Sequence, residues 1–176
     1  MTFDKNKHQR RSIRWPTWDY AGQGSYFVTM CARNRACLFG EIRQDEMILS
    51  EIGTVIESTW LGLSSRFENL QLDTYQVMPN HVHAILRLEG DVRLGDVIGA
   101  FKSLASNTHY NQLKMSGMLP ETEAKIWQRN YRERVIRNEQ EAQKCRSYIL
   151  ANVTNWREDS DNLSRLLARM TEHKSS

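Results

Sequence analysis

The sequence predicts a single α+β domain in which an antiparallel sheet carries packed helices, as in ferredoxin-like sandwiches. One observation behind this prediction is the order of the segments, which runs strand, helix, strand, strand, helix, strand, helix. A second is size, because 176 residues of which 40% are hydrophobic suit one globular domain with a sizeable core. A third is the absence of any internal repeat or low-complexity tract.

The strands are predicted from runs of aromatic, β-branched or alternating apolar residues. Four segments have this composition: Ser25–Ala32, Leu70–Val77, His81–Leu88 and Ile126–Ile136. A shorter hairpin is expected around Gln44 and Asp45. In His81–Leu88 the alternation places His81, His83, Ile85 and Arg87 on one face and Val82, Ala84, Leu86 and Leu88 on the other.

Three helices are predicted from apolar residues that recur at a spacing of three to four. The first follows Ser50, a good N-cap residue, and ends near Gly62. The second carries an apolar stripe from Leu94 to Ala105. The third begins at Asn138, where Glu141 three residues later resembles a capping box. Residues 114–125 have the composition of a loop.

Charge and composition divide the chain into three parts. They also argue against a membrane-spanning, a secreted or a disulfide-rich protein. Residues 1–22 form a basic arm, 23–159 the main domain and 160–176 a tail. The net charge of +3 permits nucleic-acid binding through local clusters of basic side chains. No apolar run approaches the ~18 residues of a membrane helix, and the first residues lack the apolar core of a secretory signal. The three cysteines form no disulfide framework, so we expect a cytoplasmic protein with reduced thiols.

His81 and His83 are the first candidates for chemistry. Two positions apart on a strand, their Cα atoms lie about 6.5–7 Å apart on one face, so both imidazoles can reach one ion. Two histidines taken alone are also compatible with an incidental pair. A metal site normally has at least three protein ligands, and the sequence nearby offers no third.

The predicted third helix supplies a candidate nucleophile and a candidate ligand. Tyr148 and Asn152 are four residues apart and therefore share a helical face. A tyrosine hydroxyl can attack a phosphodiester whose oxygen is polarised by a metal, forming a covalent phosphotyrosine. The amide of Asn152 could complete the ligand set. The alternative is that Tyr148 is an ordinary packing residue and Asn152 a helix C-cap, and Asn152 could fill both roles.

Several short blocks together resemble the REP-associated tyrosine transposases of the single-tyrosine HUH superfamily. These blocks occur in order over most of the chain and are YFVT (26–29), MPNHVH (78–83), FKS (101–103), IWQRNY (126–131), VIRNE (135–139) and YILAN (148–152). Two positions depart from the family's pattern. Val153 stands where a proline is common, and residues 132–134 lack a histidine that many members have.

The resemblance implies an HUH-type sandwich and a role for each matching residue. His81, His83 and Asn152 would bind magnesium or manganese, and Tyr148 would cut single-stranded DNA beside a hairpin. The products would be a 5′-phosphotyrosine and a free 3′ hydroxyl, and the ends could be rejoined without ATP. Tyr131 is the rival nucleophile, although Val135, four residues later, could not bind a metal. The protein would be a monomer or a homodimer.

Basic residues interleaved with aromatic ones predict where DNA is held, since single strands bind through phosphates and stacked bases. The candidates are Arg10, Arg11, Arg14, Lys102, Trp127, Arg129, Tyr131, Arg132, Arg134 and Arg137. The alternative for Trp127 is that it packs in the core. The alternative for Lys102 is that it is simply an exposed basic side chain.

Three other functions are compatible with parts of the sequence. The first is a non-catalytic or domesticated hairpin-binding protein, which would bind DNA regardless of chelator and form no covalent product. The second is a metal-free phosphodiesterase that uses two histidines as acid and base, but such an enzyme would place them on separate strands. The third is an HUH replication or conjugation initiator, which the short chain makes the weaker fit.

Overall fold

The computed structural model describes residues 23–118 and 125–159. The predicted arm at 1–22, the tail at 160–176 and residues 119–124 of the predicted loop at 114–125 lie outside these ranges. The centre of the fold is a four-stranded antiparallel sheet. Its strands are β1 (Gly24–Cys31), β4 (Leu70–Met78), β5 (His81–Leu88) and β6 (Arg132–Ile136), and their order across the sheet is β4-β5-β1-β6. A separate hairpin consists of β2 (Gly40–Arg43) and β3 (Glu46–Leu49).

The first and third predicted helices begin where the sequence places their caps. Ser50 accepts a hydrogen bond from the Gly53 amide at 3.1 Å, and Asn138 accepts one from the Glu141 amide at 2.8 Å. The described helices are α1 (Glu51–Leu61), α2 (Leu63–Arg66), α3 (Leu94–Met115) and α4 (Glu139–Ala151). α3 extends into the stretch expected to be a loop. In the β2–β3 hairpin Gln44 and Asp45 have φ of 51° and 60°, as a two-residue turn between twisted strands requires.

The last predicted strand is shorter than expected. β6 starts at Arg132, and the preceding residues form only an isolated bridge between Trp127 and Ala32. Within the described chain β6 pairs only with β1, through Thr29–Arg132 to Ser25–Ile136. Side chains of the irregular segment are directed instead toward the helical layer, where Trp127 packs on Phe39 and Phe101.

The two faces of the sheet have different roles, and the alternation of β5 decides which side chains go where. Val82, Ala84, Leu86 and Leu88 are fully buried in the main core with α1 and α3. On the opposite face α4 covers a much smaller apolar cluster made of Ile85, Ile136, Ala142 and Ile149. The fold is therefore the predicted α+β sandwich, with helices packed on an antiparallel sheet. His81 and His83 lie on the α4 face.

No helix among residues 23–118 and 125–159 combines the length and the apolar character needed to span a bilayer.

Candidate metal and nucleophile site

The histidine pair opens β5, and each ring is fixed by a hydrogen bond at Nδ1. Nδ1 of His81 lies 2.8 Å from Oδ1 of Asn80, and Nδ1 of His83 lies 2.9 Å from Oγ1 of Thr29. Both rings are buried, and their centroids are 4.3 Å apart. Thr29 reaches His83 because these two residues are directly paired between β1 and β5. Sequence reasoning did not assign Thr29 or Asn80 to the site.

The Nε2 atoms of both histidines are buried and have no hydrogen-bond partner among the described residues. An amide oxygen only accepts, so His81 donates from Nδ1 to Asn80 and carries a lone pair on Nε2. Thr29 can accept from His83 in the same way. A hydrogen bond on the remote nitrogen is the usual arrangement around a metal-binding histidine. The two orphaned nitrogens therefore fit a cation.

Burial also keeps both imidazoles in the form that binds metals. The pKa of His81 lies well below its ordinary value because the ring is desolvated, with further lowering from the neighbouring His83, Arg35 and Arg132. Desolvation, followed by the charge of Arg132, lowers the pKa of His83 to about 4. Both rings are thus neutral at neutral pH, and only a neutral imidazole can donate its lone pair to an ion.

Asp159 completes a cluster that the sequence did not predict. A short 3-10 turn at Trp156–Glu158 follows α4 and brings the Asp159 carboxylate back to the histidines. One oxygen of Asp159 and one nitrogen from each of His81 and His83 lie within 4.8 Å of one another. Asp159 is seven residues beyond Asn152 and outside any helical periodicity. No local pattern in the sequence predicts that Asp159 lies near the histidines.

Asn152 ends α4 as its C-cap residue, which is one of its two predicted roles. Its side chain is only 3% exposed. Nδ2 has no hydrogen-bond partner in the described chain. The amide nitrogen is a donor, so the atom of Asn152 that could bind a metal is Oδ1.

Tyr148 lies beside this cluster, near the end of α4. Its ring centroid is 5.4 Å from that of His83 and 6.0 Å from that of Phe27, with 48% of the residue exposed. The pKa of the Tyr148 hydroxyl lies above its ordinary value, mainly because of burial and then the charge of Asp159. The Asn152 amide and the charge of Arg132 offset part of this increase. The phenol is accordingly protonated at neutral pH. The structure brings Tyr148, His81, His83 and Asn152 to one end of α4.

The predicted DNA-binding residues are divided between the two faces. Arg132 and Arg134 line a cavity of about 510 Å³ between β6 and α4, next to Tyr148. Arg137 lines a second cavity, of about 490 Å³, beside α4. Arg129 is exposed. Arg10, Arg11 and Arg14 lie outside the described residues.

Lys102, Trp127 and Tyr131 are on the opposite side, against the main core. Lys102 Nζ donates to the carbonyls of Gln128 at 2.9 Å and Asn130 at 3.1 Å. The hydroxyl of Tyr131 lies next to Gly95 of α3, 3.9 Å from the position that a Cβ atom on Gly95 would occupy. The structure does not bring this rival tyrosine to the histidines.

Comparison with known families assigns the chain. Residues 23–152 match the family described as Transposase IS200 like. The chain belongs to the IS200-like transposase family. The matched range begins just before β1 and ends at Asn152, so it contains the histidine pair and the tyrosine helix. Members of this family cleave and transpose DNA and use a divalent metal.

Individual relatives are distant. A Haemophilus influenzae protein described as uncharacterised is 28% identical over 174 residues, covering 86% of this chain and 92% of that protein. A structure of a REP-associated tyrosine transposase bound to a REP hairpin is similar, with a TM-score of 0.58 and 22% identity. It covers 81% of this chain and 74% of that one.

A second similar structure comes from Deinococcus radiodurans R1 and is described as that of a candidate transposase. Its TM-score is 0.50 at 15% identity, over 79% of this chain and 96% of that one. At these identities the likeness establishes a shared fold.

Proposed function

We propose that this IS200-like family member cleaves and rejoins single-stranded DNA at hairpin sequences of the REP type through a covalent 5′-phosphotyrosine on Tyr148. The observation that supports this most directly is the contact between the rings of Tyr148 and His83. It puts a half-exposed hydroxyl-bearing side chain next to a buried nitrogen that lacks a partner among the described residues. The hairpin-bound transposase of similar fold supports a hairpin substrate.

The proposed metal ligands are His81, His83 and Asn152, with Asp159 as an additional oxygen donor. Two imidazole nitrogens with amide and carboxylate oxygens suit manganese, or magnesium if waters fill the remaining positions. When bound, the ion would polarise a non-bridging oxygen of the scissile phosphate. The hydrogen bonds with Asn80 and Thr29 orient the two rings, and donation from His81 to Asn80 leaves the Nε2 lone pair of His81 available to an ion.

Tyr148 then acts as the nucleophile. Its oxygen forms a bond to phosphorus while the bond from phosphorus to the 3′ oxygen breaks, and the 3′ oxygen leaves with the electron pair. The phenol proton passes to solvent, and the leaving oxygen takes up a proton to become a free 3′ hydroxyl. Rejoining is the reverse displacement by a 3′ hydroxyl on the phosphotyrosine. The number of phosphodiester-type bonds is conserved, so no ATP is required.

DNA would be held by exposed cations between residues 129 and 137 and by the arm. Arg129, Arg132, Arg134 and Arg137 would contact phosphates, and Arg10, Arg11 and Arg14 of the arm would follow a hairpin stem. Lys102, Trp127 and Tyr131 contact protein groups, so we assign them a supporting role through the segment that carries Arg129. Residues 23–159 would form the catalytic domain of a cytoplasmic protein, as a monomer or a homodimer.

The decisive experiment incubates the protein with labelled single-stranded DNA from the flanks of its own gene, with manganese or with EDTA. We expect a denaturant-resistant protein–DNA band that requires manganese and disappears in Tyr148→Phe. Tyr131→Phe is the matched control and should retain the band. Hairpin binding without any covalent band in manganese would instead identify a non-catalytic hairpin-binding protein. A band that survives in Tyr148→Phe would overturn the choice of nucleophile.

A further inference from the structure

The cavity between β6 and α4 opens directly beside Tyr148 and His83. Its volume of about 510 Å³ lies within the range of ~300–1,000 Å³ that holds a small organic ligand. Its walls come from β1, β5, β6 and α4, so it is built on the regular elements of the fold and not on a loop. A DNA strand whose phosphate reaches Tyr148 must place a neighbouring nucleotide at its mouth.

The inner surface of this cleft is aromatic and apolar. Phe27 and Cys145 are partly buried there, in contact with the small cluster under α4. The Phe27 ring stacks on His83 with centroids 5.3 Å apart and meets Tyr148 edge-on at 6.0 Å. Aromatic surface thus continues from the catalytic residues into the cleft. Such surfaces take up unpaired bases by stacking.

The charged groups of the cleft differ in exposure and in sign. Arg132 and Lys144 are exposed and cationic, as contacts to phosphate require. Glu141 is half-buried and anionic, and it would repel phosphate. Its carboxylate accepts a hydrogen bond from the Arg137 amide at 3.0 Å and lies 3.8 Å from the Arg134 guanidinium. A carboxylate has about four acceptor sites, so it can also accept a hydrogen bond from the amino group of a base. The arrangement suits a whole nucleotide with its base inward and its phosphates outward.

The chemistry of displacement selects which nucleotide enters. In an in-line attack the leaving 3′ oxygen lies on the far side of phosphorus from the tyrosine oxygen. Tyr148 itself forms part of the wall, so the cleft lies on the side of the nucleophile. We propose that the cleft binds the base of the nucleotide on the 3′ side of the cut, which stays linked to Tyr148. This inference rests on the proposed function and adds a subsite that would retain the covalent intermediate for rejoining.

The first test uses abasic DNA. After the cut has been mapped on unmodified oligonucleotide, a single abasic residue replaces the nucleotide on its 3′ side or the one on its 5′ side. The 3′ abasic substrate should form the adduct at least about tenfold more slowly, because a stacked base is lost. The 5′ abasic substrate should differ by less than about threefold. Equal rates on all three substrates, or slowing only by the 5′ lesion, would overturn the subsite.

The second test fills the cleft. Cys145→Trp should slow adduct formation at least about tenfold with unchanged affinity for the hairpin, whereas Cys37→Trp at an exposed position should not. Tyr148→Phe protein provides an independent readout if Cys145→Trp folds poorly. In it, intact oligonucleotide should protect Cys145 from N-ethylmaleimide at least about fivefold better than the 3′ abasic one. Equal protection would contradict the inference, whereas absence of adduct from unmodified DNA would contradict the proposed function itself.

Discussion

Lys102 stabilises the fold by donating hydrogen bonds to backbone carbonyls. Its Nζ holds two carbonyls of the irregular segment before β6 and lies 5.9 Å and 5.8 Å from the ring centroids of Trp127 and Tyr131. Burial lowers its pKa to about 8. These contacts tie the segment that carries the exposed Arg129 to α3. The sequence indicated a DNA-binding lysine here. A lysine near aromatic residues gives the same sequence pattern whether it contacts phosphate or stabilises the fold.

We therefore expect Lys102→Met to destabilise the fold by about 1–2 kcal/mol, since the part-buried carbonyl of Gln128 and the exposed carbonyl of Asn130 lose their donor. Urea unfolding measures this difference. Lys114→Met, at an exposed position near the end of the same helix, should change the free energy of unfolding by less than about 0.5 kcal/mol. If Lys102→Met kept full stability and only flattened the salt dependence of DNA binding, Lys102 would be a direct phosphate contact.

Thr29 is the second residue whose role depends on a single contact. Thr29→Val removes the hydroxyl at Nδ1 of His83 while keeping the shape of the side chain. We expect the affinity for manganese, measured by titration calorimetry, to fall about 10–100-fold. Thr54→Val, which removes an exposed hydroxyl from the first turn of α1, should leave it unchanged. Wild-type affinity in Thr29→Val would show that this hydrogen bond does not prepare the ligand.

At the scale of elements, the tyrosine helix is held to the sheet by a clamp, the ion pair between Arg146 and Asp73. α4 buries only Ala142 and Ile149, so its apolar contact with the sheet is small. Arg146 compensates by donating to both Asp73 oxygens at 2.7–3.0 Å and to Glu139 at 2.6 Å. A register shift between Leu72 and Tyr75 of β4 redirects Asp73 toward α4, as bulges commonly do. The amide and hydroxyl of Thr74 donate to the same carboxylate.

This clamp sets the rotation of α4 about its axis. A rotation of ~20° would move a phenol oxygen ~8 Å from the axis by about 3 Å. Arg146→Lys, which loses the bidentate geometry, should therefore slow adduct formation about tenfold or more at unchanged hairpin affinity. The exchange Asp73→Arg with Arg146→Asp should restore part of the rate. Arg43→Lys, in an exposed pair with Glu41, is the matched control. A normal rate in Arg146→Lys would exclude this positioning role.

The same clamp gives a pH dependence. Hydrogen bonds from Arg146, and then those from Thr74, lower the pKa of Asp73 below its ordinary value of 3.8, against the effect of burial. A lowered folded-state pKa contributes stability that is present above the ordinary value and lost as the pH falls through the folded value. Asp73→Asn should thus destabilise the protein fully at pH 7 and progressively less below pH ~4. Urea unfolding at pH 7, 5 and 3 measures this, and a constant difference would contradict it.

At the scale of the whole molecule, the site connects distant parts of the chain. His81 and His83 start β5, whereas Asp159 follows the last helix. A ligand that binds only the folded state raises its stability, by about 2.7 kcal/mol at a concentration 100 times its Kd. Manganese should therefore raise the Tm of wild-type protein and not that of the double variant His81→Ala and His83→Ala. An equal shift in both proteins would place the bound metal elsewhere.

The sequence predicted most elements because their signals are local. The caps Ser50 and Asn138, the turn at Gln44 and Asp45, and the alternation of β5 each involve residues a few positions apart. The late start of β6 was missed because the apolar residues before it pack on α3 and not in the sheet. Asp159 was missed because its proximity to the histidines depends on where α4 docks and how the chain turns after it, and neither leaves a periodic trace.

The alternation in β5 also separates two design problems. Odd-numbered positions from 81 to 85 face the ligand and nucleophile side, and even-numbered positions face the main core. Donor atoms at 81 and 83 could therefore be exchanged, for example by His83→Asp, with no change at Val82 or Ala84. A library randomised at the odd positions would explore metal preference on a constant scaffold. The same library shifted by one residue would mainly sample unfolded chains.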